Sequence, residues 1–333
     1  MSKLKWGILS SAQIGMNKVI PGIQKSSNGT VHAIASRNAS RAAEAAAEAG
    51  IPVSCGSYEE LLADPEIEAL YIPLPNHLHR EWCIRAMEAG KHVLCEKPLA
   101  MDAAEVREMI KVRNRTGRIL SEAFMVRHHP QWLRAREIVR GGDLGELRQI
   151  QGFFSYNNID EGNIRNIPEY GGGGLMDIGC YPVTMSRFIY GEEPLRVAAV
   201  MERDPRMRID RLTSAVMEFS GGQAAFTCST QLVPYQRMNL LGTAGRLEVE
   251  IPFNAPADKP CRVFMARGEF YQEETELLEF PVCDQYSLQA ESFVRTIRGE
   301  EELVVPPEDS LKNMKVMEAI FRAGKSGKWE DVK

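Results

Sequence analysis

Along the first third of the chain, short apolar runs alternate with longer stretches in which apolar positions recur at helical spacing. LKWGIL (4–9), TVHAIAS (30–36), 67–72 and 91–95 read as strands, the first of them buried. Helices are expected from about Ile14, limited or kinked by Pro21, and over 39–49, 58–62, 77–89 and 103–115. Gly50-Ile51-Pro52 breaks the second helix, and Asn76 stands where an N-cap of the fourth belongs. Strands alternating with helices of this length imply βαβ units and a mostly parallel sheet.

The pattern changes after about residue 145. Longer strand-like segments cover 147–157, 195–203, 211–219, 222–232, 235–241 and 246–251, with further candidates at 262–267 and 275–281. Gly221-Gly222 and Thr243-Ala244-Gly245 read as hairpin turns. A helical stretch from about Leu175 to Ile189 lies between the first two strands, and helices near 285–298 and 308–324 close the chain. The expected fold class is α/β. A doubly wound parallel sheet occupies 1–122, followed by an α+β domain on a mainly antiparallel open sheet over 123–333.

Composition narrows the function by exclusion. The 333 residues are 44% apolar and 26% charged, ordinary for a globular chain of two domains. No apolar run approaches the roughly 20 residues needed to cross a bilayer. MSKLKWGILSS lacks the apolar core and cleavage site of a signal peptide, so a cytoplasmic protein is expected. A net charge of −5 gives no general attraction to nucleic acid or anionic lipid, and neither is expected as a partner. Seven scattered cysteines without a C-x-x-C pair read as free buried thiols. His128-His129 has no third ligand at sensible spacing, so no metal site is expected.

The first strand runs into SSAQIG, where a dinucleotide-binding G-x-G-x-x-G would sit. Its three positions are Ser10, Ala12 and Gly15, with Gln13 and Ile14 inside the turn. Those glycines serve a tight turn, close approach to pyrophosphate, and helix–strand packing. Gly15 can serve the packing role, and Ala12 adds one methyl. Ser10 can stand first if its φ stays negative, with its hydroxyl toward phosphate. Free N–H groups at the helix start would still face the anion. A strand–turn–helix without a ligand is the competing reading. After the second strand the chain has Ser36-Arg37-Asn38 and Arg41, where an NAD-binding protein carries Asp or Glu. A carboxylate repels a 2′-phosphate and arginine binds one, so a bound dinucleotide is expected to be NADP, with NAD the alternative. Otherwise Arg37 and Arg41 are solvated surface charges.

Three further stretches are candidates for chemistry; their plainer readings are an ordinary βα loop with Asn76 as cap, a surface Glu-Lys pair, and a flexible loop before a core tyrosine. YIPLPNHLH (71–79) follows a strand and offers Asn76, His77 and His79 on a loop stiffened by Pro73 and Pro75. GKHVLCEKP (90–98) ends a strand in Glu96 and Lys97, with a Lys-Pro bond that a cis form would turn inward. GGGGLMDIGCYPV (171–183) places Asp177 and Tyr181 four apart after a glycine run, with Pro182 expected to kink the helix. Arg127 is a pocket candidate whose plainer role is a structural salt bridge.

Together these stretches resemble the Gfo/Idh/MocA family of nicotinamide-dependent oxidoreductases across essentially the whole chain. Glu96-Lys97-Pro98 after GKHVLC is the most specific part, followed by the glycine run leading to D-x-G-x-Y. Tyrosine at 181 is similar to the branch with NADP-dependent D-xylose dehydrogenase, dimeric dihydrodiol dehydrogenase and glucose–fructose oxidoreductase. The resemblance implies a Rossmann-type first domain binding NADP through Ser10, Ala12, Gln13, Ile14, Ser36, Arg37, Arg41, Pro73, Asn76, His79, Glu96 and Lys97. It implies hydride exchange between nicotinamide and a carbinol or carbonyl carbon of a sugar, polyol or diol. Tyr181 is the candidate acid/base, Lys97 the cation that favours its phenolate, and Asp177 the orienting carboxylate. A homodimer through the second sheet is expected. Dihydrodiol oxidation and a non-catalytic NADP sensor are the alternatives.

Overall fold

The computed structural model describes residues 2–268 and 274–333. The chain forms two compact units, Met1–His128 with Asp284–Leu311, and His129–Cys283 with Lys312–Lys333.

In the first unit six parallel strands take the order β3-β2-β1-β4-β5-β6. They are β1 (Leu4–Leu9), β2 (Gly29–Ala35), β3 (Val53–Cys55), β4 (Ala69–Ile72), β5 (His92–Cys95) and β6 (Leu120–Glu122). Successive side chains alternate between two cores, so the strand sequences are mostly apolar on both faces. Trp6, Ile8 and Tyr71 enter one core, and Leu9, Leu70 and Ile72 the other. Helices α1 (Ile20–Lys25) and α2 (Ala39–Ala49) serve the first core. Helices α3 (Tyr58–Ala63), α4 (His79–Glu88) and α5 (Ala103–Thr116) serve the second. Asn76 opens a single 3₁₀ turn, Asn76–Leu78, and no side chain caps α4.

Two helices of the second unit come next in the chain: α6 (Pro130–Gly141), which the hydrophobic pattern did not single out, and α7 (Cys180–Tyr190). Pro130 in its first turn and left-handed Gly142 after its end are the signals that α6 does carry. The chain then returns to the first unit as α8 (Gln285–Ile297), a segment the sequence reading grouped with the second domain. The reason is a close crossing with α1. A Cβ on Gly22 would lie 2.8 Å from Tyr286 Cβ and 3.0 Å from the Ser287 backbone nitrogen. Ser287 donates to the Gly22 carbonyl at 2.7 Å, and the Trp6 and Phe293 rings lie 5.3 Å apart. The last helix, α9, is Pro307–Ser326.

In the second unit nine strands among the described residues form one sheet, ordered β14-β13-β12-β11-β7-β10-β9-β8-β15. They are β7 (Leu147–Asn157), β8 (Arg196–Arg203), β9 (Asp210–Glu218), β10 (Gln223–Ser229) and β11 (Gln231–Gly242). The remainder are β12 (Gly245–Val249), β13 (Cys261–Arg267), β14 (Glu274–Phe280) and β15 (Glu330–Asp331). All neighbours are antiparallel except β7 and β10. The two expected hairpin turns close β9–β10 and β11–β12. The break expected near 232–235 falls at Thr230, because β10 and β11 flank opposite edges of β7 and the chain must cross its end there. One sheet face meets α7. The other carries a concavity of about 600 Å³ lined by Gln151, Phe153, Val200, Ser214, Thr227 and Tyr235, among others.

α1 and α7 each start from a π-helical turn, Gly15–Val19 and Leu175–Gly179, with Pro21 and Pro182 in the first α turn that follows. A proline gives no N–H to the turn before it. Pro182 therefore lies where the wider turn gives way to α helix, and not in mid-helix as expected.

Candidate active site

In the first unit the strand order reverses direction between β1 and β4, the switch point at whose carboxyl edge open α/β sheets bind ligands. Ser10 follows β1 with φ of +118°, against the negative φ expected of it. Two contacts hold it there: its hydroxyl donates to the Pro73 carbonyl at 3.3 Å and accepts from the Ala12 N–H at 3.3 Å. The hydroxyl thus ties the ends of β1 and β4 together. A non-glycine residue in this region is strained, and such strain gathers at functional sites. Met16 N–H bonds the Ala12 carbonyl at 3.0 Å, Ile14 has helical dihedrals, and Gln13 accepts from the Asn17 amide at 2.9 Å. A methyl on Gly15 would meet Pro73 and Tyr71 at 3.6 Å, an ordinary contact, so the close-packing role expected of Gly15 is not enforced by space.

At the end of β2, buried Ser36 donates its N–H to the Cys55 carbonyl and accepts from the Asn38 N–H. Asn38 caps α2 by accepting from the Arg41 N–H at 3.2 Å. Arg37 lies beside Tyr58, where its guanidinium opposes the upward push of burial on that phenol. This strand end offers two hydroxyls and two guanidinium groups and no carboxylate over 36–41. That donor set fits a dinucleotide with a 2′-phosphate.

The loop after β4 contains Pro73 and Asn76. His79 is wholly buried, with Nδ1 2.9 Å from the Pro98 carbonyl and Nε2 2.7 Å from the Leu74 carbonyl. Both carbonyls favour a charged ring, but burial dominates and brings the pKa down to about 4. Its ring braces two loops, each nitrogen lying within hydrogen-bond distance of a backbone carbonyl. At the end of β5, Glu96 accepts from the Tyr71 hydroxyl at 2.6 Å and from the Lys97 N–H at 3.3 Å. The Lys97–Pro98 peptide is cis. The Lys97 charge opposes the upward push of burial on the Tyr286 phenol, to which Glu96 adds. Glu96 therefore fastens the loop, and Lys97, the next residue, acts on the Tyr286 phenol. Arg127 pairs with Asp309 at 3.2 Å, the structural salt bridge expected as its plainer role.

In the second unit the glycine run leads into the π turn that carries Asp177. One Asp177 oxygen accepts from the Tyr156 hydroxyl at 2.5 Å and the other from Arg165 Nε at 3.2 Å. The carboxylate is thereby fixed in orientation. Tyr181, four residues on and mostly buried, packs its ring 5.8 Å from Phe154 and 5.4 Å from Phe253. Tyr156 and Arg165 were missed from sequence. Tyr156 sits in a strand whose apolar alternation gives no reason to single it out, and Arg165 lies in an irregular loop.

Among known proteins, residues 4–124 match the model of an oxidoreductase family with an NAD-binding Rossmann fold, and residues 132–248 match the GFO/IDH/MocA C-terminal domain. An uncharacterised oxidoreductase of Rhizobium meliloti is 47% identical over the full length of both chains. An NADP-dependent D-xylose 1-dehydrogenase of Haloferax volcanii is 37% identical, covering 97% of this chain and 98% of the other. A 3-ketoreductase of Actinomadura kijaniata, solved with NADP and TDP-benzene, superposes with a TM-score of 0.90 at 29% identity over 97% of this chain and 98% of that one. That ketoreductase was also solved with a lysine replaced by alanine or glutamate and with a tyrosine replaced by phenylalanine. The matches span both units and agree with the parallel sheet, its switch point and the open second sheet: the chain belongs to the Gfo/Idh/MocA family of oxidoreductases.

Proposed function

We infer that this oxidoreductase is an NADP-dependent aldose 1-dehydrogenase, with D-xylose the favoured substrate class. The observation that carries the reading is an oriented carboxylate, Asp177, held four residues from a phenol, Tyr181. Such a pair can grip a sugar hydroxyl and receive its proton. The similarity to D-xylose 1-dehydrogenase over nearly the whole chain supports the substrate. Ser36, Arg37 and Arg41, without a competing carboxylate, support NADP over NAD.

The nicotinamide supplies the hydride acceptor at C4. Asp177 accepts hydrogen bonds from substrate hydroxyls and sets the ring. Tyr181 takes the hydroxyl proton as the carbinol carbon gives up hydride and a carbonyl forms; in reverse it returns the proton. A free phenol titrates near 10, so a cation must bring it toward neutrality. Lys97 is assigned that task, because a nearby ammonium favours phenolate. Glu96 and Tyr71 hold the lysine's loop in place.

Tyr181→Phe and Lys97→Ala should each lower kcat by about 10²–10⁴-fold with an unchanged melting temperature. Their double variant should lose much less than the product of the two, as expected of groups acting on one proton. Near-normal turnover in both single variants would remove the mechanism. Arg37→Ala should raise KM for NADP about tenfold more than KM for NAD, since a lost charge-assisted phosphate contact is worth over 1 kcal/mol. Turnover on D-xylose, D-glucose and an aromatic trans-dihydrodiol tests the substrate class. A homodimer through the open sheet face is proposed from Val200 and Tyr235, which line it and are 78% and 48% accessible. A cytoplasmic location is proposed from the seven cysteines, which form no disulfide and suit a reducing compartment.

A further inference from the structure

Asp210 opens β9 and is only 2% exposed. One of its oxygens accepts the Leu175 N–H at 2.6 Å and the Thr213 hydroxyl at 3.2 Å. The other faces Gly173, where an added Cβ would lie 2.1 Å from it, at a residue whose φ is +122°. The Gly173 carbonyl in turn accepts the Asp177 N–H at 3.0 Å. A single buried carboxylate thus meets the glycine run from two sides. It takes the first N–H of the π turn and packs against the residue whose carbonyl holds the third. Burying a carboxylate is costly unless it is hydrogen-bonded. Its short bond to a backbone N–H is of the strong, charge-assisted kind.

We propose that Asp210 is a positioning residue for the reaction: it anchors the backbone of Gly173–Leu175 to β9 and so sets where Asp177 and Tyr181 stand. Tyr156 and Arg165 fix the Asp177 side chain; Asp210 fixes the main chain beneath it. The proposal rests on the reading of Asp177 and Tyr181 as site residues. It also accounts for the glycine at 173, since a side chain there would occupy the place of the carboxylate.

The test compares wild type, Asp210→Asn and Asp210→Ala in two measurements. The first is steady-state turnover of D-xylose with NADP. Expected is a kcat loss of about threefold to tenfold in Asn, which keeps an uncharged acceptor, and more than tenfold in Ala. KM for NADP should stay within twofold in both. The second is hydrogen–deuterium exchange of the full chain. Uptake in peptides spanning 171–181 should rise from wild type to Asn to Ala, with peptides of β1 and β4 unchanged. Wild-type kcat together with wild-type uptake at 171–181 in either folded variant overturns the proposal. So does a loss confined to KM for NADP. If Ala does not fold, Asn alone decides by the same criteria. If wild type turns over no substrate, the dehydrogenase reading fails separately, and the exchange gradient still decides the anchor.

Discussion

The six-stranded sheet is covered on both faces and the nine-stranded sheet on one, and the two record this differently along their strands. Ala69–Ile72 is buried at every position. Arg196–Arg203 has one buried residue in eight, and Val200 projects from its uncovered face. An apolar run therefore marks a strand sandwiched between helices, whereas an exposed valine on an alternating strand marks a face left for something else. The same division separates the candidate chemistry. The first unit offers cations and backbone N–H groups at strand ends; the second offers a carboxylate and a phenol along a helix start.

The largest expected effect comes from placing a carboxylate in each sheet. Ile34→Asp, at a position with no exposure, should cost more than about 4 kcal/mol and leave little folded protein, because the charge has no partner. Val200→Asp should leave the melting temperature within about 2 °C but shift the mass measured by light scattering from that of the proposed dimer to that of a monomer. Equal destabilisation by both would erase the contrast between the sheets.

Acidification should sharpen it next. Buried His79 in the first unit and His129 in the second both have pKa values lowered to about 4 by burial. The unfolded chain takes up these protons at a higher pH than the folded one. Their stabilising effect is present above about pH 6.5 and is lost as pH falls toward 4, by about 3 kcal/mol each. Asp210 runs the other way. Burial raises it to about 6, so its ionisation costs stability above that pH and the cost disappears on acidification. The second unit should accordingly hold on longer in acid. Exchange measured at pH 7 and pH 5 should show greater added opening in peptides of the first unit, and His79→Gln should reduce it. A steeper acid response in the second unit would contradict this assignment.

The smallest expected effect concerns Ser10. Both Ser10→Ala and Ser10→Gly lose the tie to Pro73, but only glycine relaxes at positive φ. Thermal melts should find Ser10→Gly more stable than Ser10→Ala by about 1 kcal/mol. The reverse order would show that φ is not what constrains the position.

Most of the parallel half was legible because its information is local. WGIL, ALYI and VLC are runs without a charged or strongly polar side chain, and glycine and proline punctuate the stretches between them. The features that escaped depend on partners distant in the chain. The sign of φ at Ser10 is set by a carbonyl 63 residues away. Asp177 meets Tyr156 across 21 residues, and Leu175 meets Asp210 across 35. The helical spacing of 285–297 was visible, but nothing within it says that its face belongs against Gly22. The position of His79 on a loop at a strand end says nothing of how deeply its ring is buried. Its burial comes from the Pro98 and Leu74 carbonyls, which local pattern does not reveal.

Because α8 completes the first unit, that unit is not a continuous piece of polypeptide. On the ribosome, the surface of Trp6 and Gly22 must wait for Asp284 and the residues after it to emerge. That is 156 residues beyond His128 (284 − 128), or roughly 8–30 s at ordinary elongation rates. During that interval the nascent nucleotide-binding half presents an uncovered apolar flank to the cell. Truncation before 284 would make that exposure permanent, so synthesis through Leu311 is itself a condition for a finished first unit.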